Sequence, residues 1–260
     1  MDKILLSTKP NISELPGGWE PDLLSVTITP TGDETPVIDI IPGAFLIEKA
    51  ITAFGCKRLR DLMSLSPNFE GVSVQGNKDS LDMRIGSNRT TMWCPELADA
   101  LWQIIDDELP KERRMEDNTL TDWWQNNPTR LDWEPIAVSP LLRFMKYDKG
   151  GQHYAHYDAG FIYPDDNYRT LQSFVIYLTT NSTGATRFID DKQTGPIWNR
   201  KHEDWSREVI QEEVLATSYP KEGNILIFDH RMCHDVQKYM GDEGDRIIIR
   251  GDIVYKSKTK

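Results

Sequence analysis

Residues 141–158 read Leu-Leu-Arg-Phe-Met-Lys-Tyr-Asp-Lys-Gly-Gly-Gln-His-Tyr-Ala-His-Tyr-Asp. Apolar and aromatic residues recur on both sides of a Gly-Gly pair, which predicts strands over 141–147 and 152–157 joined by a glycine turn. Downstream, runs bounded by turn residues predict further strands at 170–178, 184–189, 224–228 and 246–255. Upstream the pattern changes. Pro36-Val-Ile-Asp-Ile-Ile41 reads as a short strand, and apolar residues at Leu46, Ile47, Ala50, Ile51, Ala53, Phe54, Leu59 and Leu62 read as a packed helix. A second helix is expected from Pro95 to Leu109, because the missing N–H of proline costs nothing at a helix start. Helices first and strands afterwards predict an α+β, mainly β chain, with the helices packed on an antiparallel β core.

Residues 1–35 are rich in Pro, Gly, Ser, Thr and acidic groups and read as an irregular lead-in with one strand at 24–28. Residues 36–260 read as a single domain, with helical support over 36–135 and the β core over 136–256. Trp123, Trp124 and Trp133 are expected to cover the edge of a core. The strand-poor stretch 190–222, with Trp198 and Trp205, reads as a long insertion able to act as a lid.

Composition narrows the function. The 260 residues carry 41 acidic and 30 basic side chains, a formal net charge of −11, which disfavours nucleic acid and anionic lipid as partners. Three dispersed cysteines, Cys56, Cys94 and Cys233, form no disulfide framework and no thiolate cluster for structural zinc. They predict a reducing compartment. The first apolar run, Ile4 to Leu6, is too short for a signal core or a membrane span, so a cytoplasmic protein is expected.

Two of the five histidines open a His-x-Asp, His156-Tyr157-Asp158 and His202-Glu203-Asp204. In a strand, residues two apart share a face, so His156 and Asp158 can reach one metal ion. His202 sits in a polar helical pattern where residues two apart diverge, so it and Asp204 read as solvated surface. His153, three residues before His156, is expected on the opposite face of its strand. A third ligand must come from His230 or His234, which both follow the apolar run Ile225-Leu-Ile-Phe228. Two histidines and a carboxylate with open positions suit non-haem iron(II). In Arg246-Ile-Ile-Ile-Arg250 a strand would place both guanidinium groups on one face of an apolar ribbon. Buried there, they demand an anionic partner such as a dicarboxylate.

With these residues the chain resembles the Fe(II)/2-oxoglutarate-dependent dioxygenases, in their prolyl 4-hydroxylase-like branch. The matching segments are Arg143 to Asp158, the Tyr-Leu strand Phe174 to Leu178, Thr183-Gly-Ala-Thr-Arg-Phe188, and Lys221 to Phe228 followed by His234-Asp-Val and Arg246. Thr183 stands where the first glycine of the family's Gly-Gly-x-Thr-x-Phe strand is expected. The resemblance implies a double-stranded β-helix, a jelly-roll or cupin-like barrel with flanking N-terminal helices. It implies Fe(II) on His156, Asp158 and His234, with 2-oxoglutarate and O₂ as cosubstrates. It places Arg246, or Arg250 four residues on, against the distal carboxylate of 2-oxoglutarate, with Tyr177 and Tyr147 as donors to it and His230 as a neighbour. It implies hydroxylation, since halogenating relatives lack the carboxylate that Asp158 supplies. The substrate is expected to be a free amino acid or other small metabolite, or else a prolyl or other side chain in a protein, met by Arg187, Asp165 and Trp198. A non-catalytic ligand-binding barrel and a metal hydrolase are the alternatives of other classes.

Overall fold

The computed structural model describes residues 7–15, 17–21, 28, 36–66, 70–71, 84–114, 132–164, 167–192, 208–241 and 243–258. Its main elements are β1 (Val37–Ile41), β2 (Ala44–Ile47), α1 (Ala53–Ser64), β3 (Arg84–Trp93), α2 (Pro95–Ile105), β4 (Asp132–Val138), β5 (Leu141–His156), β6 (Tyr168–Tyr177), β7 (Thr186–Ile189), β8 (Val214–Ser218), β9 (Ile225–Asp229), β10 (His234–Val236) and β11 (Arg246–Ser257).

Strand β5 belongs to two sheets. Its first half pairs with β11, followed in order by β6, β9, β2 and β1. Its second half pairs with β10, followed by β7 and β8. Every one of these pairings is antiparallel. The free edge of β8 lies against β1, so the sheets nearly close. This order, in which each turn of chain contributes alternately to the two sheets, is that of a double-stranded β-helix.

Strand alternation builds two cores. Ile247, Ile249, Ile253, Phe174, Ile176, Ile225 and Ile227 point out of the barrel onto the helices, where Leu59 and Leu62 of α1 and Leu97, Ala98, Leu101 and Ile105 of α2 meet them. Ile248, Val175, Tyr177, Leu226 and Phe228 point inward with Met145 and Tyr147. Each fully buried aliphatic or aromatic side chain contributes about 1.5–3 kcal/mol, so strands covered on both faces are the most strongly held. Among the described residues no helix is long and apolar enough to cross a membrane.

Several expectations are corrected. Leu46 and Ile47 are not helical: they lie in β2, paired with Leu226 and Ile225, and the helix begins at Ala53 after the N-cap Thr52. The pull of a long-range strand partner overrides the local apolar spacing there. Residues 141–147 and 152–157 are one continuous strand up to His156 rather than two. Residues 214–218 are a barrel strand, so 190–222 is not wholly an insertion. Strand β3 has no counterpart in the sequence reading. Trp133 is fully buried and carries the Arg169 guanidinium 4.6 Å above its ring. Trp123, Trp124, Trp205 and residues 24–27 lie outside the described residues.

At Gly251 β11 passes close to side chains of its neighbours β6 and β5. A Cβ there would lie 2.3 Å from Phe174 Cζ and 2.9 Å from Leu142 Cδ2, both buried ring or branch atoms with no room to retreat. Gly251→Ala is therefore expected to destabilise the fold by about 1–3 kcal/mol, read as a lower urea midpoint.

Candidate metal centre

His156 ends β5 and His234 begins β10, and the two are cross-strand partners. Asp158 follows two residues beyond the strand end. Their ligand atoms all lie within 4.8 Å of one another, and among the described residues this is the one such cluster. Asp158 sits 3.9 Å from His156 Nε2 through Oδ1 and 3.8 Å from His234 Nε2 through Oδ2.

The imidazoles are oriented by their own chain. His156 Nδ1 lies 2.8 Å from the Tyr154 carbonyl, and His234 Nδ1 lies 3.0 Å from the Met232 carbonyl. A carbonyl only accepts, so each Nδ1 carries a proton, and in the neutral ring Nε2 is the atom whose lone pair is left for a metal. Burial pushes His234 down from the usual histidine range, against the opposing pull of Asp158. That favours the neutral form a metal requires.

Asp158 is buried and held ready as an anion. Ser173 Oγ donates to its Oδ2 at 2.6 Å, and Arg250 contacts both oxygens, Nε to Oδ2 at 3.3 Å and Nη2 to Oδ1 at 3.1 Å. Burial alone would raise its carboxyl, but the Arg250 guanidinium, with His234 and His156, holds it well below the usual carboxylate range. Behind it Arg250 also meets Asp252 Oδ1 at 3.1 Å, and Asp252 in turn faces Arg143 at 3.0 Å and His230 Nε2 at 3.2 Å. Burial opposes the charge on Asp252 too, and Arg250 more than reverses it. His230 thus faces Asp252 and is not one of the clustered ligands.

Arg246 occupies the inner face of β11 two residues before Ile248, across from Tyr147. It is fully buried, with Cζ 4.3 Å over the Tyr147 ring and Nε donating to the Gly184 carbonyl at 2.6 Å. Gly184 has φ +74°, and a Cβ there would come within 2.7 Å of Arg246 Cδ, so both its backbone and the arginine exclude a side chain. Among the described residues Nη1 and Nη2 of Arg246 have no hydrogen-bond partner. The Tyr177 hydroxyl lies 3.1 Å from Thr186 Oγ1 and 3.3 Å from Ser218 Oγ, and burial raises its pKa.

A narrow cleft lined by Tyr147, Val175, Phe228, Ile248 and Arg250 contains all three candidate ligands. Of the other site residues expected from sequence, Arg187 lies on β7 and is spent on a bidentate pair with Asp235, at 3.0 and 2.5 Å. Asp165, Trp198, His202 and Asp204 lie outside the described residues.

The expectation for His153 is overturned. Its ring stacks on His156, centroids 3.6 Å apart, on the same side of the strand. His234 pairs with His156 but Val236 pairs with His153, so β5 holds two residues where β10 holds one, and this bulge turns His153 inward. Sequence reasoning also missed Ser173 and Asp252. Asp252 was within reach, because in Arg250-Gly-Asp252 it shares the face of Arg250.

No family model and no curated protein matches the chain. Solved structures do. The fold is similar to a viral collagen prolyl hydroxylase from Paramecium bursaria Chlorella virus-1 in its 2OG complex, at 14% identity over 82% of this chain and 96% of that one, TM-score 0.43. It is similar to HygX from Streptomyces hygroscopicus with nickel and 2-oxoglutarate bound, at 11% identity over 83% of each chain, TM-score 0.49. It is also similar to a prolyl hydroxylase from Trichoplax adhaerens in complex with a hypoxia inducible factor peptide, at 12% identity over 81% and 83%, TM-score 0.48. These are likenesses of fold, and the site stands on its own geometry.

Removing one member of a buried ion pair strands the other. Arg250→Met should lower the stability of the metal-free protein by about 3–5 kcal/mol, whereas Ser173→Ala, which deletes one hydrogen bond to the same carboxylate, should cost about 1.5–3 kcal/mol. Urea unfolding in the presence of a chelator measures both, and a larger loss for Ser173→Ala would contradict the ranking.

Proposed function

We propose that the protein is an iron(II)- and 2-oxoglutarate-dependent dioxygenase that hydroxylates an unactivated C–H bond of a small metabolite, a free amino acid foremost, with release of succinate and CO₂. The observation that carries this reading is the guanidinium of Arg246, fully buried with two unpartnered terminal nitrogens. A buried cation is costly unless an anion meets it, and two parallel N–H donors match a carboxylate. Unlike Arg250, which has Asp158 and Asp252, Arg246 has no carboxylate partner among the described residues. A metal hydrolase would use the same three ligands and leave that cation unexplained.

His156, Asp158 and His234 fit an iron(II) ion: two imidazoles whose Nδ1 faces a carbonyl, which leaves Nε2 for a metal, and one carboxylate held as an anion line one cleft and would leave the remaining positions open. Bound iron would supply the redox chemistry with O₂. The chain does the rest. Arg246 holds the distal carboxylate of 2-oxoglutarate, with the Tyr147 ring packed against its guanidinium. The Tyr177 hydroxyl turns from Thr186 and Ser218 to donate to the same carboxylate. Arg250 positions Asp158 and contacts no cosubstrate. Met145, Val175, Phe228 and Ile248 give the cleft beside the three ligands an apolar wall, which excludes water and strengthens ion contacts there. The three cysteines are buried and free, which supports a reducing, cytoplasmic setting.

Anaerobic titration with iron(II) and 2-oxoglutarate tests the reading through the visible charge-transfer band of the chelate. The parent should develop the band, and His156→Ala and His234→Ala should lose it. Arg246→Leu should weaken 2-oxoglutarate binding by about 2–5 kcal/mol, the scale for truncating one partner of a buried charge pair. Folded, metal-loaded parent protein without a band would favour the hydrolase.

A further inference from the structure

Asp158, Arg250, Asp252 and Arg143 form a row of alternating charge that begins at the metal cluster and ends on β5. Arg250 and Arg143 are direct cross-strand partners on β11 and β5. Like charges set opposite each other repel. Asp252, two residues along the same face of β11, meets both. Its Oδ2 accepts from Arg143 Nη1 at 3.0 Å, and its Oδ1 lies 3.1 Å from Arg250 Nη2. The same Nη2 lies 3.1 Å from Asp158 Oδ1. One guanidinium nitrogen is thereby divided between a candidate metal ligand and a carboxylate outside the cluster.

The two carboxylates are buried, and the side chains of Arg250 and Arg143 are only 13% and 22% exposed. Charges in such surroundings are screened far less than at the surface. The coupling runs the length of the row: burial and Arg250 push the Arg143 guanidinium down, and the charges of Asp252 and Asp158 oppose them. Two cations and two anions leave the row neutral before a metal arrives. Loss of Asp252 would leave one positive charge in excess and turn Arg250 wholly onto Asp158, and both effects oppose a divalent cation. Loss of Arg143 would leave one negative charge in excess and let Asp252 draw Arg250 from Asp158, and both effects favour it.

We propose that Asp252 and Arg143 are positioning residues that set the affinity of the three-ligand site for its metal, by dividing Arg250 between two carboxylates. Neither belongs to the cluster, and both act through Arg250. This assignment rests on the metal reading of His156, Asp158 and His234 above and is independent of the cosubstrate.

The test is calorimetric titration of the metal-free full chain with Ni(II), in one buffer at one pH, for the parent, Arg143→Gln, Asp252→Asn and the double variant. Arg143→Gln should bind Ni(II) several-fold more tightly than the parent, and Asp252→Asn about tenfold or more weakly, the scale of one uncompensated charge in a partly buried site. The double variant, neutral again, should recover most of the loss. Urea unfolding of the same metal-free proteins reads the structural cost separately. Stability should fall in both single variants, so opposite shifts in affinity cannot come from damage to the fold. If Asp252→Asn does not fold, Arg143→Gln decides by its sign alone. A folded Arg143→Gln that binds Ni(II) no more tightly than the parent would overturn the proposal, as would a folded double variant no better than Asp252→Asn. A parent that binds no Ni(II) would overturn it together with the metal reading. The expected pattern in protein that gives no charge-transfer band with iron(II) and 2-oxoglutarate would keep the positioning roles and overturn the oxygenase.

Discussion

Two guanidinium groups lie on the inner face of one strand, and a charge taken out of water must be answered. Arg250 is answered from within by Asp158 and Asp252. Among the described residues Arg246 is answered by a carbonyl at Nε and the face of an aromatic ring. The first arrangement fixes a candidate metal ligand, and the second leaves the terminal nitrogens of a buried cation without a partner among the described residues. The four-residue separation along a strand keeps both on the same face, so one short segment sets the two ends of the site.

The same strand holds the barrel together. β11 lies between β5 and β6, its outward isoleucines feed the helical core, and Gly251 permits the close contact with Phe174. Rigidity there matters to the candidate metal ligands, because a site built for a metal must be placed before the metal arrives. Two of them are cross-strand partners, each with its ring turned by a carbonyl of its own chain. Asp158 lies beyond the strand, where the ladder no longer holds it. Ser173 and Arg250, reaching in from β6 and β11, do so instead.

The bulge in β5 shows how one extra residue reshapes a site. Regular alternation would send His153 to the far face, as its three-residue offset from His156 predicts. With the bulge it stacks on the ligand imidazole and walls both the metal cleft and a polar cavity beside it. A local break in the ladder thereby joins two spaces that a regular strand would separate.

Much of this was legible in the sequence, because alternation, turn residues and the spacing of His156 to Asp158 and of Arg246 to Arg250 are local properties with a direct geometric meaning. The α+β order, six of the β-strand regions and the proline-started helix followed from them. What was not legible depended on partners far away in the chain. Leu46 and Ile47 form a strand only because β9 lies beside them, and Val214 to Ser218 only because β7 does. The sequence by itself determined which side chains could carry the chemistry, since residue type and periodicity survive in one dimension. Which charge is paired, which is left open, and which side of its strand His153 takes were decided by tertiary structure, because each depends on distances between segments that no local pattern encodes.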